Sequence, residues 1–329
     1  LINQFLNYPE NSAGSIMTTE YVALKKDMTV RDAMRHIKEV GIHKETIYTC
    51  YVLERRKLIG IVTAKDLMTM DDDTKIGDIM ETEIISVHTH TDQEEAARLF
   101  SKYDFLALPV LDADGLMVGI ITVDDAIDVV VDEATEDMTV MAAVTPSEKS
   151  YFATSVFAHA KNRFVWLLVL MFSATITGTI ITRYENAFAA VPLLVSFIPM
   201  LMDTGGNCGS QSSTLIIRGL ALDEIKFKDI FRVIFKEFRI ALLVGIGLAI
   251  ANGIRIFIMY KDLKMAIVIA LSLSLIVIIA KIIGCTLPLF GKKLHMDPAI
   301  MASPLITTVV DTCSIMIYFS IATRVFTLS

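Results

Sequence analysis

The sequence contains one pattern twice: Gly60-Ile-Val-Thr63-Ala-Lys-Asp66 returns as Gly119-Ile-Ile-Thr122-Val-Asp-Asp125 at an offset of 59 residues. A second match, Ile16-Met17-Thr18 with Ile79-Met80-Glu81, has an offset of 63, so the first copy is four residues longer in its middle. Repetition at such a period predicts two similar structural units in series.

Each copy shows the same order of predicted elements. A first strand at residues 21–24 or 84–87 precedes an amphipathic helix that opens at Thr29 or Asp92. Two short apolar strands then lead into the shared Gly-x-x-Thr pattern, and a closing helix follows. We therefore expect two α/β units of about sixty residues each.

This arrangement resembles the CBS pair, or Bateman module. The resemblance implies that the Thr and Asp of the shared pattern contact the phosphate and ribose of ATP or another adenine nucleotide. The residues concerned are Thr63, Asp66, Thr122 and Asp125. A threonine here is also a common strand-end and helix-cap residue, so a purely structural role stays open.

The composition separates the two halves. The chain of 329 residues is 53% hydrophobic, with a mean hydropathy of +0.56. Residues 1–150 carry 14 Lys/Arg against 28 Asp/Glu, and residues 151–329 carry 16 against 9. An acidic soluble half followed by an apolar, mildly basic half predicts a membrane protein. It excludes a single soluble enzyme, a nucleic-acid binder with a basic face and a secreted disulfide scaffold.

Five charge-poor stretches are long enough to cross a bilayer, which takes about 20 residues. They cover about residues 164–182, 186–217, 240–260, 265–290 and 298–323. Ten Lys/Arg fall on one side of such a five-helix domain and four on the other. This asymmetry predicts a plasma-membrane protein with its N-terminal half in the cytoplasm and its C-terminus outside.

Four charged residues interrupt these stretches. Arg255 and Lys281 have long side chains near the ends of their spans, and we expect them to reach the headgroups. Asp311 lies near the middle of the last span and cannot do so. It is either neutralised, by protonation or by pairing with Lys281, or it is a ligand in a cation pathway, which we favour.

The second span carries the fourth charge in an unusual run. Asp203, Asn207 and Gln211 stand at i, i+4 and i+8 on one helical face. The glycines at 205, 206 and 209 allow close backbone approach. Together these residues predict a broken or tightly packed helix whose polar face borders a hydrated cavity.

A predicted helix at residues 124–141 carries seven acidic residues and no lysine or arginine. Asp125, Asp128, Asp132 and Glu136 form one stripe of it. A solvated face would normally include lysines, whereas like charges one turn apart repel. Carboxylates without histidine or cysteine favour a hard cation, Mg²⁺ or Ca²⁺.

These features together are similar to the MgtE family of magnesium channels and transporters. The matching stretches are Tyr8-Pro-Glu-Asn-Ser-Ala-Gly14 with Ile16-Met-Thr18, Tyr103-Asp-Phe105 before Leu108-Pro-Val110, Ile121-Thr-Val-Asp-Asp125, Glu133-Ala-Thr-Glu136-Asp137, Gly205-Gly-Asn207 through Gln211, Thr214-Leu-Ile-Ile-Arg218, and Asp297-Pro-Ala299 through Pro304 to Asp311.

The resemblance implies a homodimer in the lipid bilayer, with the second and fifth membrane helices lining a pore. Asp311 would face the ion, Asp203 and Asn207 would belong to the same pore, and Asp297 would mark its cytoplasmic mouth. Regulatory Mg²⁺ would bind further acidic side chains of the cytoplasmic half. These are Asp92, Glu94, Asp104, Asp128, Glu133, Glu136 and Asp137.

The resemblance also implies a domain order. Residues 1–14 would be the remnant of an N-terminal helical domain, residues 15–131 the tandem CBS domains (15–70 and 78–131), residues 132–160 a connecting or plug helix, and residues 161–329 the transmembrane domain. We predict a Mg²⁺-selective importer, not an enzyme, that cytoplasmic Mg²⁺ closes. The alternatives are a transporter of Co²⁺ or Mn²⁺ and a nucleotide-sensing CBS receptor without transport.

Overall fold

The computed structural model describes residues 8–147 and 150–327. Residues 1–7 of the predicted N-terminal remnant and the terminal Ser329 lie outside this range. The chain divides into two compact units, with the boundary between Thr135 and Glu136. We describe each unit by itself.

The first repeat contains three helices and a three-stranded sheet. Its elements are α1 (Ala13–Ile16), β1 (Val22–Leu24), α2 (Val30–Val40), β2 (Thr49–Glu54), β3 (Lys57–Thr63) and α3 (Ala64–Thr69). Strand β1 is parallel to β2, and β2 is antiparallel to β3. Thr29 caps α2, because its side chain accepts a hydrogen bond from the backbone N–H of Asp32.

The second repeat reproduces this order. Its elements are α4 (Ile76–Ile79), β4 (Val87–His88), α5 (Gln93–Tyr103), β5 (Ala107–Leu111), β6 (Met117–Thr122) and α6 (Val123–Met141). Again the first strand is parallel to the second, which is antiparallel to the third. Asp92 caps α5, as predicted. The CBS pair predicted from the repeat is confirmed.

The two repeats complete each other's sheets. Thr18, at the start of the first repeat, exchanges two backbone hydrogen bonds of 2.8 Å with Ile120 of β6. Glu81, at the start of the second repeat, exchanges bonds of 2.9 and 3.0 Å with Ile61 of β3. The Ile-Met-Thr and Ile-Met-Glu segments therefore each lie beside the Gly-x-x-Thr strand of the other copy.

This exchange explains the glycine of the repeated pattern. A Cβ on Gly119 would lie 2.7 Å from the carbonyl oxygen of Thr18 and 2.8 Å from Sδ of Met17. A Cβ on Gly60 would lie 2.8 Å from Cγ of Met80. Since real Cβ atoms do not approach other atoms so closely, only glycine fits at both crossings.

The helical unit contains five long helices within the described residues. They are α7 (Val156–Arg183), α9 (Ile198–Ala221), α10 (Ile230–Tyr260), α11 (Leu263–Lys293) and α12 (Ser303–Phe326), with the short α8 (Glu185–Ala190) between the first two. In the part of the chain that the structure describes, four segments are long and apolar enough to cross a membrane: α7, α10 with its preceding turn, α11, and α12 with its preceding turn.

The second predicted span, residues 186–217, is wrong as a single helix. The chain forms α8, then a 3₁₀ helix at Pro192–Phe197, and only then α9. Pro192 and Pro199 stand at the first positions of the two later helices, where the missing N–H costs nothing. The polar residues between Asp203 and Gln211 lower the mean hydropathy of α9 below that of the other four long helices.

The predicted connecting helix at residues 132–160 is also not continuous. Helix α6 ends at Met141, and residues 142–147 and 150–155 are not helical. Ala143 adopts a left-handed φ of 55° and Pro146 follows it, so the helix cannot propagate through this stretch.

We predict that Gly119→Ala weakens the CBS pair, because the new methyl group must displace Met17 or the Thr18 backbone. Overpacking of this kind costs about 1–3 kcal/mol. Amide hydrogen exchange of β6 should report a drop of that size in the opening free energy. The matched control is Gly178→Ala, since a Cβ there meets nothing within 4 Å. Unchanged exchange in β6 of Gly119→Ala would show that the close crossing does not hold in solution.

Candidate functional site

Helix α9 has two chemically different faces. Asp203, Asn207 and Gln211 are exposed in the single chain, whereas Gly205 and Gly209 are buried. The predicted i, i+4, i+8 spacing therefore does place the polar side chains on one face. The glycine face packs into the helical unit, so the polar face remains open for another molecule or ion.

The glycine face permits unusually short distances between helices. A Cβ on Gly205 would lie 2.8 Å from Oγ of Ser314 on α12, and one on Gly209 would lie 2.8 Å from Ile306. A Cβ on Gly284 of α11 would overlap the backbone carbonyl group of Gly209. Helices α9 and α11 are thus in backbone contact, and the side chains of α12 pack directly on the glycines of α9, as small residues allow in membrane proteins.

Asp311 lies on α12 beside this contact. Its side chain is half-buried, and its Oδ1 is buried without a hydrogen-bond partner among the described residues. Ser314 Oγ, one turn further along α12, is in the same condition. Asp203 is on α9, whose residues Gly205 and Gly206 pack against Ser314 and Thr307 of α12. Acidic groups on two packed helices, without an ion pair in the described chain, are suited to a cation.

The alternative pairing of Asp311 with Lys281 is not what the structure has. Lys281 Nζ lies 3.8 Å from Oε2 of Glu237, and both side chains are buried. Our expectation that Lys281 reaches the headgroups is therefore wrong. Arg255, in contrast, is exposed, with Nη2 3.0 Å from Sδ of Met200.

Glu237 is the residue that the sequence analysis missed. The third span was predicted to begin at residue 240, so Glu237 was assigned to a basic loop. Helix α10 in fact begins at Ile230 and buries Glu237 on its inner face. The available signal was a single acid within the basic run Lys236-Glu-Phe-Arg239.

Asp297 caps the 3₁₀ helix that precedes α12. Its Oδ1 accepts a hydrogen bond of 2.8 Å from the backbone N–H of Ala299, and the residue is exposed. An exposed carboxylate at a helix entrance can also attract a cation, but its contacts in the described chain are those of a cap.

The predicted nucleotide residues bond to one another within each repeat. Thr63 Oγ1 donates to Oδ2 of Asp66 at 2.6 Å, and this pair forms the capping box of α3. Thr122 Oγ1 donates to Oδ2 of Asp125 at 2.7 Å. These contacts give all four side chains a structural role. Their role toward a nucleotide stays a prediction.

The predicted regulatory residues are spread over α5, its C-terminal end and α6. Asp92 caps α5, and Glu94 forms an ion pair with Arg98. Gln93 Nε2 donates to Oε1 of Glu133 at 2.8 Å. Asp104 follows α5 in a left-handed conformation with a φ of 55°.

The acidic face of α6 is formed as predicted. Asp128, Asp132 and Glu136 are exposed on it, and Asp137 is partly buried. Hydrogen bonding to the Thr122 side chain holds the pKa of Asp124 below its usual value, so that carboxylate is ionised near neutral pH. Within residues 8–147 and 150–327, however, no three acidic, histidine or cysteine side chains gather closely enough to hold a metal ion.

Two α/β repeats followed by long apolar helices define a membrane protein with a soluble α/β domain. Comparisons with known proteins identify the class more closely. The CBS-domain model matches residues 13–72 and 76–132, and the MgtE model, described as a divalent cation transporter, matches residues 198–321.

Relatives match over almost the whole chain. The magnesium transporter MgtE of Thermus thermophilus is 38% identical, and that of Bacillus subtilis is 40% identical. Both alignments cover 98% of this chain and 71% of the relative. A solved structure of the soluble part of a magnesium transporter aligns with 40% of this chain and 52% of its own, at 47% identity and a TM-score of 0.40.

The chain belongs to the MgtE family. The members matched here are transporters, so the prediction that the chain is not an enzyme is confirmed, as is the predicted combination of a CBS pair with a membrane domain.

Proposed function

We propose that this protein imports Mg²⁺ across the plasma membrane along a path lined by α9 and α12. The observation that carries the proposal is Oδ1 of Asp311, which is buried without a hydrogen-bond partner among the described residues, on a helix that packs against α9. Helices that only anchor a receptor in the membrane would not need such a group. This argues against a CBS receptor that transports nothing. The relatives named magnesium transporters support Mg²⁺ as the cargo.

The chemistry of the ion suits this arrangement. Mg²⁺ loses its water reluctantly and usually keeps several water ligands. Carboxylates that act through water can attract the hydrated ion without binding it so tightly that it cannot leave. Asp203, Asn207 and Asp311 offer oxygen atoms for this, and oxygen ligands disfavour soft metals.

We further propose that the transporter is a homodimer. Ile127, Val130 and Val131 on α6 are 58%, 53% and 57% exposed in the single chain. They stand at i, i+3 and i+4, so they form one apolar stripe beside the acidic face. A second copy of the chain would cover this stripe. The polar face of α9, which is exposed in the single chain, is likewise available to a second subunit.

Asp311→Asn tests the pathway, because it removes the charge while keeping the shape of the side chain. We expect at least a tenfold loss of Mg²⁺ uptake into proteoliposomes, with the same elution on gel filtration. Asp262→Asn is the matched control: Asp262 caps α11 by accepting from the backbone N–H of Met265 at 3.1 Å, and Asn caps equally well. Wild-type uptake by Asp311→Asn would remove this residue from the pathway.

The same uptake assay distinguishes Mg²⁺ from Co²⁺ and Mn²⁺ as the transported ion. Carboxylates bind Co²⁺ and Mn²⁺ as well as Mg²⁺. A Mg²⁺ transporter should keep most of its Mg²⁺ uptake when Co²⁺ or Mn²⁺ is present at equal concentration. Complete replacement of Mg²⁺ by either ion would favour the alternative cargo.

The proposed orientation rests on the distribution of Lys and Arg, with the CBS pair in the cytoplasm. A cysteine at Thr327 should react with an impermeant thiol reagent from outside intact cells, and a cysteine at Asp71 should not. Of the natural cysteines, Cys50, Cys208 and Cys285 are buried, and the partly buried Cys313 is replaced by serine for this experiment. The reverse labelling pattern would invert the topology.

We propose that cytoplasmic Mg²⁺ closes the pathway by bridging the acidic residues of α5 and α6. Without the ion, these carboxylates repel one another over a screening length of about 8 Å in physiological salt. A divalent ion favours the closed state only through its extra affinity for that state. The closing effect should therefore grow with the number of carboxylates that share the ion.

The triple variant Asp128→Asn, Glu136→Gln and Asp137→Asn tests this regulation. We expect it to shift inhibition of uptake to higher cytoplasmic Mg²⁺, and to reduce the protection of residues 142–155 from protease by Mg²⁺. An unchanged midpoint would exclude sensing by α6 and would leave the pathway proposal intact.

Adenine nucleotide binding to the CBS pair is a separate proposal, supported by the duplicated Thr–Asp pairs. If ATP is the regulatory ligand, Asp66→Asn and Asp125→Asn should abolish its effect on uptake while the triple variant keeps it. If both pairs are only helix caps, ATP should bind to neither wild type nor variant in equilibrium dialysis.

A further inference from the structure

Three polar side chains from three helices meet inside the helical unit. Ser212 of α9 donates from Oγ to Oε2 of Glu237 on α10 at 2.7 Å. Lys281 of α11 donates from Nζ to the same Ser212 Oγ at 3.2 Å. The three residues are 0%, 6% and 5% exposed. We call them the buried triad.

Stability alone does not account for the buried triad. Replacing a buried ion pair by apolar side chains of similar size is often neutral or stabilising, whereas removing one partner leaves an unpaired buried charge. Such a pair can instead fix the relative position of the helices that carry it. The single hydroxyl of Ser212 donates once and accepts once, so it is tied to both neighbouring helices.

The buried triad lies across α9 from the polar face. At 100° per residue, Ser212 is turned about 140° from Asn207, which explains why one is buried and the other exposed. A hydrogen bond at Ser212 therefore controls the rotation of α9 about its own axis. Any rotation moves Asp203, Asn207 and Gln211 together relative to Asp311.

The glycine face cannot set this rotation alone. Glycines allow close approach but provide no directional bond. Ser212 bonds to charged groups on both α10 and α11, whereas the bonds of Asn252 and Arg255 to Sδ of Met200 join α9 to α10 only.

We propose that Ser212, Glu237 and Lys281 are positioning residues that hold the polar face of α9 toward the ion path. The proposal rests on the proposed function, since that face is taken to line the path. The buried triad would affect the affinity for Mg²⁺ and the discrimination between ions. It would do so by holding α9 in place, without contacting the ion.

The first test compares Ser212→Ala with Ser212→Thr, which keeps the hydroxyl. We expect Ser212→Ala to raise the Mg²⁺ concentration for half-maximal uptake by about three- to tenfold. Maximal uptake should change less, and discrimination against Ca²⁺ should weaken. Ser212→Thr should restore both properties. If Ser212 only stabilised the fold, Ser212→Ala would instead lower maximal uptake in proportion to the amount of folded protein.

Ser272→Ala is the matched control. Ser272 is a fully buried serine of α11 whose hydroxyl has no hydrogen-bond partner in the described chain. The substitution removes the same atom from the same helical unit, so it should leave the half-maximal concentration and the ion discrimination unchanged.

A second test does not depend on transport. Single cysteines at Thr204 and Ser210 report the rotation of α9, because these two half-buried residues stand about 120° apart, on either side of Asn207. A rotation of α9 raises the rate of reaction with a charged thiol reagent at one of them and lowers it at the other. Ser212→Ala should change the ratio of the two rates, and Ser272→Ala should not.

The paired variant Glu237→Gln with Lys281→Met covers the case in which a single variant fails to fold, since it leaves no lone buried charge. It should shift the labelling ratio as Ser212→Ala does. A wild-type ratio in Ser212→Ala or in the paired variant would overturn the positioning role. If wild type carried no Mg²⁺ while the ratio still shifted, the proposed function would fail and the positioning role would stand.

Discussion

The backbone of α9 touches the backbone of α11 at Gly209 and Gly284, and the rest of the helical unit is arranged around this contact. Inside a bilayer there is little hydrophobic gain in joining two apolar helices, so close packing and hydrogen bonds must hold them together. Glycine on both sides provides the closest packing that a chain allows. The same face brings α12 against Gly205, and this approach places Asp311 beside α9.

Hydrogen bonds then determine which groups stay available. The hydroxyls of Thr177 on α7 and Thr312 on α12 are 2.8 Å apart, and Tyr318 of α12 donates to the carbonyl oxygen of Leu194 at 2.9 Å. Both bonds hold the part of α12 that follows Asp311. The polar groups on the buried side of α9 are likewise satisfied. Within the described part of the helical unit, the buried side-chain atoms without a hydrogen-bond partner are Oδ1 of Asp311 and the hydroxyls of Ser272 and Ser314. An acid in this condition inside a membrane is typical of a functional site.

The features that the sequence predicted correctly depend on nearby residues. Thr29 and Asp92 cap their helices through bonds to residues two or three positions away, so the local pattern was sufficient. The pairing of Glu237 with Lys281 joins residues on two separate helices, and no local pattern carries that information. The break at Pro192 escaped the prediction because counting the distance between charges measures apolarity and not helical continuity. The acidic residues of α5 and α6 were recognisable from the sequence, but within the described residues they do not gather around a common point.

The exchange of segments between the CBS repeats has a consequence for synthesis on the ribosome. The segment around Thr18 emerges first, yet its partner Ile120 is made about a hundred residues later. During that interval the first repeat can form its own strands but must leave this segment without its final neighbour. The pair therefore reaches its native structure as a unit, late, and only after both copies are complete. A CBS pair assembled in this way has no independently finished half.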